Sequence, residues 1–434
     1  MAVNAGRLLW VPCRPTLRSV RPMASHRSLP IGRAASTSSR PSPFPPTHAL
    51  NGDQCCSSTR SFSTTPATQS APGGPRFNYN VAASYIAKGH QYDPSTHVFH
   101  FNPYNRVQPP KPGRSKSSRP ESGQDAFFVS RLGPNPNEVA LGVADGVGGW
   151  MDSGVDPADF SHAFCDYMAA SAHEYRPKAE SGAASKTPAL TARQLMQDGY
   201  SAVCHDASIK AGGSTAIVAL LTENGTLEVA NLGDSGYILL RLNGVHAASE
   251  PQTHAFNTPY QLSVVPPSML LRAAAFGGAQ LMDQPRDAEV TRLGLRHGDV
   301  IIFASDGLWD NLFNQDILRI ISRTMKNAGA WASTEAGIQV NPELTQLTRL
   351  PEASGEAKGG KKPIVTLQSL IAMEIVGAAK SASLNSKLDG PFAKEVSKYY
   401  PHEKWHGGKE DDICAVVVVV SEEAQGAAPI KVKL

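Results

Sequence analysis

Seven short segments of the chain are rich in Val, Ile, Leu and Ala, and each has the length of a β-strand. They lie at residues 126–131, 139–144, 214–222, 226–232, 236–242, 300–305 and 413–420. β-Branched and aromatic side chains favour strands of this length. Asn224-Gly225 follows the third segment and Asn243-Gly244 follows the fifth, and both are turn sequences of two-residue hairpins. The pattern therefore predicts antiparallel neighbours.

Helical patterns fall at residues 157–175, 191–209, 314–325 and 366–383. Asp156 can cap the first of these helices, and Pro157 suits its first turn. Strands clustered in mid-chain, with long helices between the groups, favour an α+β sandwich over a repeated βαβ unit. The longest uninterrupted apolar run, residues 415–420, has the length of a strand. A membrane-spanning helix needs a much longer run, so no transmembrane segment is predicted.

The first 62 residues contain eight Arg and a single acid, Asp53, among many Ser, Ala, Thr and Pro. This composition is typical of a mitochondrial transit peptide, and Arg60-Ser61-Phe62-Ser63 resembles a processing site. The alternative is a basic tail that binds nucleic acid or anionic lipid. Without residues 1–62 the formal net charge changes from +3 to −4. The mature protein would thus be mildly acidic, and no nucleic-acid partner is predicted.

The remaining chain divides by composition. A Pro-, Ser- and Lys-containing run within residues 103–120 predicts a flexible N-terminal segment over 63–122, with order beginning near Gly123. Residues 123–422 form the predicted folded domain. Small-residue and charged stretches at 181–188 and 349–363 are interpreted as surface insertions, and 423–434 as a C-terminal tail. The cysteines are scattered and form no disulfide framework or zinc motif.

Carboxylates stand at the boundaries of the predicted apolar strands. These residues are Asp125, Asp145, Asp234, Asp306, Asp411 and Asp412. A carboxylate beside a buried strand loses hydration, so it needs a cation or several hydrogen-bond donors to stay ionised. Few basic residues adjoin these acids. Mg²⁺ and Mn²⁺ prefer oxygen ligands and accept a small number of carboxylates together with water, so the sequence predicts a divalent-metal site.

Six blocks carry a resemblance to a known family. They are GQDAFF, VADGVGGW, GGSTAIVALL, NLGDSGYILL, IIFASDGLWDNL and EDDICAVVVVV, in this order between residues 123 and 420. The chain resembles the metal-dependent type 2C protein serine/threonine phosphatases, and DGVGGW is similar to their mitochondrial branch. The resemblance implies two mostly antiparallel sheets in a β-sandwich flanked by helices. It also implies hydrolysis of phosphoserine and phosphothreonine by a metal-activated water, in phosphorylated proteins of the mitochondrial matrix.

The resemblance assigns roles by position. It implies two Mg²⁺ or Mn²⁺ ions, with room for a weaker third. Asp145 matches the carboxylate that bridges the two ions, and Gly146 matches the glycine that lends its carbonyl. Asp306 and Asp411 match the other ligands of the first ion, and these two with Asp145 form the implied catalytic set. Three further acids complete the implied metal ligands: Asp125 near the second ion, Asp234 at an outer site, and Asp412. Which residue of the adjacent pair Asp411 and Asp412 coordinates the ion stays open.

Departures from the family pattern leave two functions open. Gln124 stands where many relatives have a Glu ligand, and Val147 stands where many have a His that acts as general acid. Arg119 is about one residue away from the position of a phosphate-binding Arg. Surface histidines that could supply the proton are His254, His402 and His406. The favoured hypothesis is an active phosphatase, and the alternative is a pseudophosphatase that binds phosphoproteins without hydrolysis.

Overall fold

The computed structural model describes residues 76–105, 107, 116–176, 189–275, 282–349 and 365–422. The predicted transit peptide (1–62), the insertion at 181–188, the C-terminal tail (423–434) and all but the first residue of the insertion at 349–363 lie outside these ranges. In the part of the chain that the structure describes, no helix is long and apolar enough to cross a membrane.

The strands and helices are numbered in chain order. The strands are β1 (Phe77–Ile86), β2 (Val98–His100), β3 (Asp125–Leu132), β4 (Asn135–Asp145), β5 (Gly212–Ser214), β6 (Ala216–Leu221), β7 (Thr226–Leu232), β8 (Gly236–Arg241), β9 (Gly244–Ala248), β10 (Thr253–Ala255), β11 (Thr258–Pro259), β12 (Leu262–Val264), β13 (Glu289–Gly294), β14 (Val300–Ala304), β15 (Trp331–Thr334), β16 (Gly337–Val340) and β17 (Ile413–Glu422). The α-helices are α1 (Pro157–Glu174), α2 (Ala192–His205), α3 (Pro267–Ala275), α4 (Asp306–Trp309), α5 (Asn314–Asn327), α6 (Leu344–Thr348), α7 (Leu367–Ser383) and α8 (Pro391–Tyr399).

Two antiparallel sheets pack face to face. Within the described ranges, one sheet has the order β2-β1-β17-β14-β8-β9 and the other has the order β13-β7-β6-β4-β3. Alternate residues of both sheets point into the shared core, among them Leu141, Ile217 and Phe303, which are fully buried. Because side chains alternate along a strand, the same strands present a second apolar face to the outside.

Helices cover both outer faces. Helices α5 and α7 pack on the six-stranded sheet, where Ile321 and Ile375 join Ile302 and Val417 in one buried cluster. Helices α1 and α2 pack on the five-stranded sheet through residues such as Phe164. The molecule therefore has four layers, helix, sheet, sheet and helix, and the predicted α+β sandwich is confirmed.

The predicted hairpins are present. Gly225, with a φ of +81°, turns the chain between β6 and β7. Leu242 and Asn243 have φ values of +44° and +67° between β8 and β9, and both strand pairs are antiparallel. Positive φ at both central residues is the requirement of the type I′ turn that suits hairpin twist.

The predicted flexible segment over 63–122 is wrong at its centre. Strand β1 occupies Phe77–Ile86 and pairs along its whole length with β17, so order begins well before Gly123. Its partner β17 is buried at every position except the last. Such a strand needs a neighbour on each side for its backbone donors and acceptors. The alternation of FNYNV is short and gives way to AAS, whose small side chains are buried on both faces, and the strand was not predicted.

Replacing a buried side chain of β1 tests this correction. Ile86 is fully buried against the helix-covered face of the six-stranded sheet. We expect Ile86→Ala to lower the free energy of unfolding by about 2–5 kcal/mol, because it leaves a cavity in a packed core. Chemical denaturation of the full-length chain measures this. Unchanged stability would show that the segment before Gly123 contributes nothing to the fold.

Candidate active site

The predicted acids meet at one end of the sandwich. Asp145 ends β4, Asp234 lies between β7 and β8, Asp306 begins α4 directly after β14, and Asp411 precedes β17. Together with Gly146 and Asp412 they line one cavity of about 640 Å³. Another cavity of similar volume is lined mainly by apolar and neutral residues and by none of the predicted site residues. The sandwich thus brings together acids that are up to 267 positions apart.

Asp125 lies beside this cavity and inside the protein. It is the first residue of β3 and pairs across the ladder with Asp145. Its Oδ2 accepts a hydrogen bond of 2.6 Å from the Ser305 hydroxyl, while its buried Oδ1 has no hydrogen-bond partner. Burial and the nearby Asp412 raise the pKa of Asp125 well above its usual range. A buried carboxylate oxygen without a donor is costly and points to a missing positive charge.

Asp145 and Asp234 show the same electrostatic need. Burial, then repulsion from Asp306, raises the pKa of Asp145 well above its usual range. The same two causes raise the pKa of Asp234 to about 7, and its buried Oδ1 lacks a partner. Several carboxylates in one desolvated place repel each other unless cations neutralise them. An all-oxygen donor set with unpartnered lone pairs fits a hard divalent cation such as Mg²⁺ or Mn²⁺.

Asp411 and Asp412, the adjacent pair before β17, have different partners. Asp412 Oδ1 accepts a hydrogen bond from the Lys88 main-chain N–H at 2.6 Å, and its Oδ2 accepts one from the Gln124 main-chain N–H at 2.8 Å. Asp412 therefore fastens the chain after β1 and the chain before β3 to β17. The Asp411 carboxylate faces the ammonium groups of Lys88 and Lys409 in the cavity, at 3.6 Å and 3.3 Å.

Lys409 and Asp310 are charged residues near the site that were not predicted from the sequence. Lys409 Nζ lies 2.6 Å from Asp306 Oδ2, 2.6 Å from Asp310 Oδ2 and 3.3 Å from Asp411 Oδ2. Burial alone would raise the pKa of Asp306, but Lys409 lowers it. Asp310 is the C-cap residue of α4, four residues after Asp306, and the two carboxylates meet at the Lys409 ammonium.

Lys409 also affects how the acids are arranged. Among the described residues, no three acidic, histidine or cysteine side chains close around a single point as a complete metal cage. The ammonium of Lys409 contacts the carboxylates of Asp306, Asp310 and Asp411. The cavity is also lined by Asp145, Asp234 and Asp412. Mg²⁺ keeps several of its waters in proteins, so an open, incompletely closed ligand set is compatible with this ion.

A model of the protein phosphatase 2C family matches residues 112–335, more than half of the chain. The chain belongs to this family. A relative from Saccharomyces cerevisiae, named protein phosphatase 2C homolog 7, mitochondrial, is 32% identical over 84% of this chain and 94% of its own length. A relative from Drosophila grimshawi, named protein phosphatase PTC7 homolog fig, is 34% identical over 69% of this chain and 79% of its own.

The solved structure of a photosystem II phosphatase, PBCP, has 22% sequence identity and a TM-score of 0.49 and covers 79% of this chain and 98% of its own. That likeness is too distant to bear on function. Protein phosphatase 2C enzymes are metal-dependent, so the family and the oxygen-lined cavity agree: the chain is a metal-dependent protein phosphatase.

The departures from the protein phosphatase 2C pattern lie at the cavity. Gln124 and Val147 both line it. Gln124 Nε2 donates a hydrogen bond to Met151 Sδ at 3.1 Å. The apolar side chain of Val147 has no proton to give. These two positions therefore contribute neither an anionic ligand nor an imidazole.

The basic residues at the cavity differ from those that the sequence suggested. Arg119 is paired with Asp159 at 2.7 Å and does not line the cavity. His254, His402 and His406 do not line it either. Lys88 and His90, on the turn after β1, do. They were missed because the segment over 63–122 was interpreted as flexible.

Proposed function

We propose that the chain is an active Mg²⁺- or Mn²⁺-dependent phosphatase that removes phosphate from phosphoserine and phosphothreonine of mitochondrial proteins. The observation that carries the proposal is the convergence of Asp145, Asp306 and Asp411 on one cavity beside buried carboxylate oxygens that have no partner. A mitochondrial location is supported by the Arg-rich first 62 residues and by the name of the yeast relative, and we propose the matrix as the compartment.

The side chains divide the work of such a site. Asp145, the Gly146 carbonyl, Asp306 and Asp411 would hold the ions, with Asp125 and Asp234 as further acids close by. Divalent ions bound there would activate a water and neutralise the charge of the phosphate. Lys88, whose side chain is 57% exposed at the cavity, would attract the phosphate dianion electrostatically. His90 lies on the same turn and is a candidate proton donor for the leaving alcohol. It would take over the task of the His that many relatives have at the position of Val147.

Hydrolysis of phosphoserine and phosphothreonine peptides by the full-length chain tests the proposal. We expect no turnover after chelation of divalent ions and recovery on titration with Mn²⁺ or Mg²⁺, because the carboxylates alone repel a phosphate dianion. The alternative is a pseudophosphatase that binds phosphoproteins, and Gln124 and Val147 support it. Phosphopeptide binding without turnover at any Mn²⁺ concentration would establish that alternative.

A further inference from the structure

The ammonium group of Lys409 lies among the carboxylates of the proposed metal site. Its Nζ makes two 2.6 Å contacts, to Asp306 Oδ2 and Asp310 Oδ2, and its side chain is only 14% exposed. The ammonium also lies 3.4 Å from Asn257 Oδ1 and 5.0 Å from the centre of the Phe392 ring. Two short charge-assisted hydrogen bonds in a desolvated place make a strong and specific contact.

The backbone fixes the direction of this side chain. The Lys409 N–H donates to Asn311 Oδ1 at 3.0 Å, and the Lys409 carbonyl accepts from Asn311 Nδ2 at 2.8 Å. The preceding Gly408 packs so closely on the end of α7 that an added Cβ would lie 2.2 Å from the Ala382 carbonyl oxygen. The loop therefore holds the Lys409 main chain beside the end of α4, and the carboxylates of Asp306 and Asp310 hold its ammonium.

The ammonium occupies the carboxylates that an outer ion would need. Asp234, the residue of the implied outer metal site, repels Asp306 and Asp310 electrostatically. Lys409 contacts Oδ2 of both of these acids. Lys409 contacts a single oxygen, Oδ2, of Asp306 and of Asp411. Asp411 Oδ1 instead accepts a hydrogen bond from the Asp412 main-chain N–H at 3.1 Å and lies 3.6 Å from Lys88 Nζ. A further divalent cation beside a held ammonium would meet like-charge repulsion in a region of low dielectric.

We propose that the Lys409 ammonium takes the place of a third, outer metal ion, so that the protein binds two divalent ions and not three. This inference rests on the proposed function, because it presupposes that the two inner ions bind. Lys409 acts here as a positioning residue: it neutralises Asp306 and Asp310 and holds the Asp306 carboxylate toward the cavity.

Counting bound Mn²⁺ by equilibrium dialysis of the full-length chain tests the proposal without use of activity. We expect two ions on the unchanged protein and three on Lys409→Met, which keeps the length of the side chain and removes its charge. The double variant Lys409→Met/Asp310→Asn should return to two. Lys380→Met is the matched control, because Lys380 is a buried lysine paired with Glu410 at 2.9 Å outside the cavity, and it should keep two.

Other counts contradict the inference in distinguishable ways. Three ions on the unchanged protein, or two on a folded Lys409→Met variant, would overturn it and leave the proposed function standing. No Mn²⁺ on the unchanged protein would overturn both. If Lys409→Met does not fold, Lys409→Arg keeps the positive charge and should bind two ions; three ions on that variant would overturn the inference.

Discussion

Asp145→Asn should lower the rate of phosphopeptide hydrolysis by about 1,000-fold or more. Asp145 is the acid that we propose to serve both ions, so loss of its charge should remove several kcal/mol of stabilisation from a metal-assisted reaction, at about 1.4 kcal/mol for each tenfold change in rate. The measurement is kcat/KM at saturating Mn²⁺. Asp152→Asn is the matched control, because Asp152 is an exposed acid in the short 3-10 helix that contains the cavity glycines. The activity of this variant should stay within about twofold of that of the unchanged protein.

The same substitution should stabilise the metal-free fold. Burial and repulsion from Asp306 raise the pKa of Asp145, so the folded protein binds a proton there more tightly than the unfolded chain does. The Asp145 carboxyl group therefore makes the metal-free protein less stable as the pH rises above the ordinary carboxyl pKa. Asn carries no charge, so Asp145→Asn should raise the thermal midpoint at pH 7 after chelation. A lower midpoint together with lost activity would indicate a structural role for Asp145.

Gly307→Ala should disable the site through the backbone. A Cβ on Gly307 would lie 1.9 Å from the Asp412 carbonyl oxygen, a backbone atom that no side-chain rotation can move away. The start of α4 must then separate from β17, and Asp306 must separate from Asp411. We expect the free energy of unfolding to fall by about 3 kcal/mol, and hydrolysis to fall even at temperatures where the variant stays folded.

Gly294→Ala is the control for this substitution. Gly294 ends β13, its φ lies outside the positive region, and an added Cβ there would have no atom within 4 Å. Its unfolding free energy and its activity should change little. Retention of full activity and stability by Gly307→Ala would show that the close contact between α4 and β17 does not set the position of Asp306.

The acids could be predicted because their signal is local. Each stands next to a short apolar strand, and β7 was predicted with its observed bounds, 226–232. In an antiparallel sandwich such strand ends gather at the two ends of the sheets, so carboxylates at several of them have a fair chance of meeting. The family resemblance then assigned their roles. The cavity holds every predicted ligand except Asp125, which lies buried beside it.

The rest of the site depends on contacts without a local pattern. Lys409 comes from a glycine-containing loop, and its partner Asp310 is an ordinary polar position of a short helix. Asp412 accepts hydrogen bonds from the main-chain N–H groups of Lys88 and Gln124, far away in sequence, which is why we propose Asp411 as the ligand of the pair. Strand β1 was missed because the alternation of FNYNV is short and gives way to small side chains, and Lys88 and His90 on the turn after it were missed with it.

The central claim is that distant acids jointly bind a pair of divalent ions. The most direct measurement is an anomalous difference map from crystals of the full-length chain grown with Mn²⁺. We expect two peaks in the cavity, both in contact with Asp145, with Asp306 and Asp411 on the first and the Gly146 carbonyl on the second. Absence of any peak at Asp145, or Mn²⁺ bound elsewhere only, would contradict the account.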